Sequence, residues 1–434
     1  MKPEAAALSA FMTAERREFH RHAESAFTEF WTASRIAGFL AREGYEVRIG
    51  REIMNPEYRM GVPDEEVLES CYRRALDEGA DPAIAERMRG GFTAVAGILR
   101  NGPGPVLGFR FDMDAVDVQE SGDADHLPRK LGFASLHEGV MHACGHDAHV
   151  ATGLALARLL ASDRDAWRGT VKLVFQPAEE GVRGARSIAE SGFLDDVDYM
   201  IAGHVGIVPD GTRTFYGRVS GFLSTTKLDL HFTGRAAHAG VNPELGRSAI
   251  LAAAATALQI QGIPRHSGGA SRINIGRISG GTGRNVIPEH AFLALETRGQ
   301  TSEINEFMAS EATRIAEGVG QAYGVRVRIE KMGEASDARS DPELARIAAA
   351  CALEAGYERA VEEPLPLGGS EDFSFLMNRV EARGGKALFV VLGTELADAH
   401  HSPRFDIREE DLPLGALTFA LLAGRLSAGE ASGR

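Results

Sequence analysis

Residues 105–114, PVLGFRFDMD, read as a short apolar strand that runs directly into two aspartates. The run is too short for a helix and is preceded by Gly102-Pro103-Gly104, a turn signal. Comparable runs follow the same rule: FTAVAGIL (92–99), TVKLVF (170–175), DYMIAG (198–203) and ALFVVLG (387–393). Helical patterns lie between several of them, notably 149–162 and 181–191. Near-continuous apolar strands alternating with helices predict an α/β domain, its parallel or mixed sheet flanked by helices on both faces.

Working outward, residues 5–46 read as helical. Residues 50–92 form a charged stretch with several short helical patterns, inserted before the first buried strand. The middle of the chain changes character. TTKLDLHFT (225–233) alternates with period two, and RSAILAAAATALQI (247–260) is a strong helix former. SRINIGRIS (271–279) and EHAFLALETR (289–298) are strands joined through the Gly-rich turn GGTGRNVIP. An amphipathic helix (302–324) and a last strand (325–332) complete a β-α-β-β-α-β order, a ferredoxin-like α+β unit. The expected organisation is a discontinuous domain over 1–217 and 335–434, with a smaller domain inserted over 218–334. The tail SAGEASGR reads as frayed.

Composition limits what such a chain does. With 434 residues, 44% hydrophobic and 25% charged, it has material for two or three domains of about 150 residues each. The net charge of -14, with no basic block, argues against a nucleic-acid or anionic-membrane partner. Three cysteines, Cys71, Cys144 and Cys351, are too few and odd in number for a disulfide framework, which points to a reducing compartment. Cys71 and Cys351 read as packing residues. The N-terminus lacks the pattern of a secretory signal, and no stretch has 18 consecutive apolar residues, so a cytoplasmic location is expected.

Four apolar strands end in potential metal ligands. Strand 105–111 precedes Asp112 and Asp114; strand 170–175 precedes Glu179 and Glu180; strand 198–203 precedes His204; strand 387–393 is followed by His400 and His401. Ligands of open α/β sheets gather at the carboxyl ends of strands. The densest cluster is MHACGHDAH (141–149), with Cys144 and three of the chain's 14 histidines. Asp147 reads as a cap for the helix that follows. Cys and His suit a borderline divalent ion. A structural zinc site, a Cys–His nucleophile pair and satisfied core histidines are the alternatives. The first lacks further local cysteines, and the second leaves Glu179, Glu180 and the later histidines unexplained. Two close metals would polarise a carbonyl and acidify a shared water, and adjacent carboxylates can divide metal binding from proton transfer.

GFRFDMDAVD, MHACGHDAH, FQPAEEG, AGHVG, RAAHAG, GRNVIP, GGSEDF and HHSPRFD occur in that order over about residues 100–406. This ordered set resembles the M20 metallopeptidases and amidohydrolases. The resemblance implies a zinc-peptidase-like catalytic domain and an inserted lid or dimerisation domain. It implies Cys144, His146, Glu180, His204 and His401 as ligands of two divalent ions, Mn2+ or Zn2+. It gives Glu179 as the catalytic carboxylate and Asp114 as a residue orienting a ligand. Asp112 stands where the peptidase branch has a histidine, so its role as a ligand is open. The HSP context favours His401 over its neighbour His400.

In the inserted domain the resemblance implies His238, reaching over from a partner chain, as donor to the oxyanion, with Asn285 and Arg298 holding substrate. The residue-level alternatives are a turn histidine for His238 and a surface salt bridge at a sheet edge for Arg298. Gly368 and Gly369 suit recognition of a carboxylate by backbone N–H groups, or a simple helix start capped by Ser370. The implied activity is hydrolysis of an N-acyl or N-aroyl amino acid, p-aminobenzoyl-glutamate being the first candidate. The implied assembly is a homodimer or a heterodimer with a related subunit. An aminoacylase on other acyl groups and a partner-dependent subunit with little activity of its own are the rival readings.

Overall fold

The computed structural model describes residues 5–208 and 213–429. Residues 430–434 of the tail expected to fray lie outside these. The chain divides into two compact units. The larger comprises Met1–Ser220, Ala338–Pro366 and Asp372–Arg434; the smaller comprises Gly221–Asp337 and Leu367–Glu371.

The larger unit is built on an eight-stranded mixed sheet. Its strand order is Glu46–Ile49, Val95–Asn101, Gly169–Gln176, Val106–Asp112, Tyr199–Val205, Lys386–Leu392, Thr214–Tyr216 and Arg359–Val361. The four strands from Gly169–Gln176 to Lys386–Leu392 are neighbours and mutually parallel. All four therefore end on the same side of the sheet, which brings the sequence-distant ligand candidates together. Successive residues of these strands are buried, which requires cover on both faces. Helix His146–Ser162 packs on three of them, and helix Phe373–Ala382 packs on Tyr199–Val205 and Lys386–Leu392. Cys351 belongs to this core and Cys71 packs against it.

The smaller unit has the four-stranded antiparallel sheet Ser271–Gly280, His290–Gly299, Ser224–Thr233 and Arg326–Ala335, in that spatial order. Helices Ala249–Ile260 and Ser302–Tyr323 share a core with Leu228, Leu230, Leu293 and Leu295. Alternate strand residues face this core, as the period-two pattern requires. The segment Leu367–Glu371, expected with the larger domain, groups with this unit. Leu223 N–H donates to the Gly369 carbonyl at 2.8 Å, and the Ser370 hydroxyl donates to the Leu223 carbonyl at 2.7 Å.

Several local expectations need correction. The helical stretch 5–46 is two helices, Ala5–Arg21 and Phe30–Arg42, and then the strand Glu46–Ile49. The break follows from Phe27, whose φ of 63° is left-handed, and from two buried carboxylates. Glu24 accepts the Trp31 and Thr32 N–H groups at 3.1 and 2.9 Å, serving the orphan donors of the second helix. The helix at 181–191 shrinks to Ala185–Ala189 because Ala178, Gly181 and Val182 all have positive φ. Asp147 is not the cap of its helix: Gly145 holds that position, and Asp147 lies in the first turn bonded to Arg16 and His20. No helix among the described residues is long and apolar enough to cross a membrane.

Candidate metal centre

Cys144 and His146 flank Gly145, whose φ of 86° starts helix His146–Ser162. A Cβ on Gly145 would lie 2.4 Å from Val205 Cγ2, so only glycine fits. The turn places Cys144 Sγ 3.4 Å from His204 Nε2, across 60 residues of chain. His204 Nδ1 donates to the Val205 carbonyl at 2.8 Å, which leaves Nε2 with its lone pair facing the thiol. His146 is held in the same way: Nδ1 donates to the Asp114 carbonyl at 2.9 Å and Nε2 points inward. An outward N–H on an acceptor and an inward lone pair is the second-sphere pattern of metal-binding histidines.

The acidic pair follows strand Gly169–Gln176 on a turn bent by the positive φ of Ala178. Asp114 accepts the Glu179 and Glu180 N–H groups at 3.0 and 2.9 Å, one on each oxygen. Asp114 therefore touches the backbone of both glutamates and orients His146 through its own carbonyl.

Of the adjacent histidines, His401 enters the cluster. Its φ of 65° turns the chain, its N–H donates to the Ala143 carbonyl at 2.8 Å, and its Nε2 lies 3.4 Å from Glu180 Oε1. His400 instead packs against the His204 and Phe405 rings, and burial lowers its pKa to about 4. Asp112 is spoken for: Arg110 donates to Oδ2 at 2.6 Å and His149 Nδ1 donates to Oδ1. His149 in turn accepts the Val205 N–H at 2.9 Å, so it is a satisfied histidine that braces the strand end.

Ligand-type atoms of Cys144, His146 and His204 lie within 4.8 Å of one another, as do those of Cys144, Glu180 and His401, and those of His146, Glu179 and Glu180. The sets overlap, as two ions about 3.5–4 Å apart would require. His146 Nε2 is buried without a hydrogen-bond partner, and the buried Glu180 Oε1 faces the His401 ring, so the donor set fits divalent cations. Burial holds His204 well below its usual pKa, keeping the imidazole neutral for ligation. Burial pushes the Cys144 thiol up, although His146 and His401 oppose that. Hydrogen bonds to Cys144 and Glu180 pull His401 up to about 10. The same anionic field would attract a dication.

The remaining site candidates lie in the smaller unit. His238 is exposed on the short strand Ala237–His238, paired with Val286. The exposed Asn285 adjoins it, accepting the Ala239 N–H at 3.0 Å. Arg298 pairs with Glu296 at 3.0 Å on the sheet face away from the helices. Gly368 has φ 68°, and Gly369 is bonded to Leu223 as described. Ser370 bonds the Leu223 carbonyl and does not cap the following helix.

Sequence reasoning missed a buried frame around the cluster. Arg110 donates to Gln176, Asp112 and Asp372, and Asp372 accepts the Gly184 and Ala185 N–H groups just beyond the acidic pair. An arginine inside an apolar strand was the available signal, since a buried charge demands partners. The 50–92 stretch also supports this segment: Asn55 and Ser187 exchange hydrogen bonds, and Arg183 reaches the Gly61 carbonyl.

Residues 108–425 match the model of Peptidase family M20/M25/M40. The chain is 44% identical over 411 residues to one of the subunits of p-aminobenzoyl-glutamate hydrolase from Escherichia coli (strain K12), covering 94% of each. It is 44% identical over 415 residues to indole-3-acetyl-aspartic acid hydrolase of Enterobacter agglomerans, covering 95% of each. Among solved structures it resembles the aminobenzoyl-glutamate utilization protein of Klebsiella pneumoniae, with TM-score 0.83, 38% identity and 97% of each chain covered. It also resembles a dinuclear metal-binding M20 peptidase of Bacillus subtilis, with TM-score 0.66, 26% identity, and 98% and 99% covered.

Proposed function

The chain belongs to peptidase family M20/M25/M40, and from that premise we propose that it cleaves the amide bond between an aromatic acyl group and an acidic amino acid, p-aminobenzoyl-glutamate first among them. It is a metal-dependent amidohydrolase. The observation that carries this reading is the overlapping cluster at the ends of neighbouring parallel strands, with the buried ligand-type atom His146 Nε2 without a hydrogen-bond partner.

In this reading Cys144, His146, Glu180, His204 and His401 hold two divalent ions. The thiolate favours zinc; the carboxylate and imidazoles also suit manganese. Divalent ions held there would supply polarisation of the amide carbonyl and acidify the attacking water. Glu179 takes the proton of the attacking water and returns it to the leaving nitrogen, so the amine departs neutral. Asp114 keeps the adjacent glutamates in different orientations through their backbone N–H groups. His238 of a partner chain donates to the oxyanion. Asn285, Arg298, Gly368 and Gly369 bind the amino-acid half. Arg298 can exchange its half-exposed Glu296 for a substrate carboxylate at small cost, because such pairs contribute little.

Two relatives at equal identity support the substrate class: both names join an aromatic acyl group to an acidic amino acid. One of these relatives is named as a subunit, which supports a homodimer or a heterodimer with a related chain, and a cytoplasmic location goes with the sparse cysteines. The test is kcat/KM of the metal-loaded protein, alone and with a candidate sister chain, on p-aminobenzoyl-glutamate, indole-3-acetyl-aspartate and N-acetylcysteine. The aromatic conjugates should be preferred. Faster cleavage of N-acetylcysteine would replace this reading with an aminoacylase.

A further inference from the structure

Apart from the cluster above, ligand-type atoms of His22, Glu78 and His137 lie within 4.8 Å of one another. They come from three places. His22 follows helix Ala5–Arg21, Glu78 is the C-cap of helix Glu65–Asp77 in the 50–92 stretch, and His137 lies in the loop leading to Met141. Glu78 Oε2 is 2.9 Å from His22 Nδ1, and Oε1 is 2.8 Å from His137 Nε2. Both histidines are buried.

The outer nitrogen of each ring already faces an acceptor. His137 Nδ1 is 2.5 Å from the Ala23 carbonyl oxygen, and His22 Nε2 faces Glu18 Oε1 at 3.5 Å. A neutral imidazole has one N–H. His137 uses it on Ala23, so its Nε2 presents a lone pair to a carboxylate oxygen. His22 does the same when its N–H serves Glu18. Lone pairs opposed at this distance repel unless a cation lies among them. Outward N–H groups on a carbonyl and a carboxylate match the way metal-bound histidines are oriented. The surroundings are rigid: the Trp31 ring stacks on His22 at 3.9 Å, and its indole N–H donates to the Glu78 carbonyl at 3.2 Å.

We propose that His22, Glu78 and His137 form a further site for a divalent cation of the zinc class, with water as a fourth ligand. Two imidazoles and one carboxylate suit such an ion better than calcium or magnesium, which prefer all-oxygen shells. The site ties the 50–92 stretch to the N-terminal helix and to the loop that continues into Cys144. It stands independently of the substrate reading above.

The test counts zinc per full-length chain by mass spectrometry, after chelator stripping and dialysis against Zn2+. Wild type should hold one equivalent more than His137→Gln or Glu78→Gln, and Zn2+ should protect the 50–92 stretch from proteolysis in wild type only. Equal counts, with His137 titrating as an imidazolium by NMR, assign the positive charge to a proton and overturn the proposal. If neither variant folds, a chain lacking all five assigned ligands of the main centre (C144S/H146Q/E180Q/H204Q/H401Q) decides. It should retain zinc whose X-ray absorption shows nitrogen and oxygen but no sulfur neighbours. A zinc-free chain overturns the proposal.

Discussion

Asp114 Oδ2 accepts the backbone N–H of Glu180 at 2.9 Å. One carboxylate thereby anchors the peptide that presents the acidic pair, while the carbonyl of the same residue receives His146 Nδ1–H. Loss of such outer partners typically costs about 10- to 100-fold in metal affinity or activity. Asp114→Ala should lose that much in both, and Asp114→Asn less, because one amide oxygen still accepts. Calorimetric metal titration and kcat/KM check this; wild-type affinity in Asp114→Ala would contradict it.

Glu179→Ala should lower kcat by about 100- to 10,000-fold, the usual range for a positioned acid–base group. Metal content should remain near wild type, because the assigned ligand is Glu180. Normal turnover with full metal would remove Glu179 as the proton carrier.

His238→Ala should lose about 100- to 1000-fold in kcat, as removal of an oxyanion donor does. If the histidine serves a partner chain, mixing inactive His238→Ala and Glu179→Ala chains and allowing exchange restores part of the activity. Some mixed assemblies then hold one site with both groups intact. No recovery despite demonstrated exchange would place the histidine's role within its own chain or nowhere in catalysis.

Gly145→Ala meets Val205 Cγ2 at 2.4 Å and puts a Cβ on a residue with φ 86°. The expected loss is about 2–4 kcal/mol from overpacking and left-handed strain together. Urea denaturation measures it. Adding Val205→Ala should recover the steric part, because the two sites touch.

His20 is buried between Asp147 and Glu120, at 2.8 and 3.2 Å. Burial favours the neutral ring, but the bonds to Asp147 and Glu120 outweigh it and raise the pKa to about 9. An unfolded imidazole titrates near 6.5, roughly. The folded value is the higher, so the stabilisation from this group is complete below about pH 6.5 and is lost as pH rises through about 9. His20→Gln should flatten the decline of unfolding free energy over that window. An equally steep decline in the variant would show that other groups cause it.

Much of this was legible in sequence order. PVLGFRF, TVKLVF, DYMIAG and ALFVVLG each gave a strand within a residue or two, because short apolar runs between turn residues leave few other solutions. The helix break at Phe27 was not legible. It depends on Glu24 and Glu29, polar residues that look like a solvated helix face until tertiary contacts bury them. Asp112 shows the same limit. Its neighbours in sequence leave its role open, and only the tertiary contacts put Arg110 and His149 on its oxygens.

What the chain's order of residues determined alone was five of the eight strands of the larger sheet, the α+β pattern of the middle of the chain and the ligand-type residues placed after the strands. Those follow from local spacing and side-chain type; the strands Glu46–Ile49, Thr214–Tyr216 and Arg359–Val361 were not among them. Only the tertiary structure decided which ring nitrogens face inward, how His401 is turned onto Glu180 while His400 packs on His204 and Phe405, and that the 50–92 stretch braces the segment after the acidic pair. These depend on hydrogen bonds between residues far apart, such as Arg16 with Asp406 across 390 positions, and no local pattern encodes such a pairing.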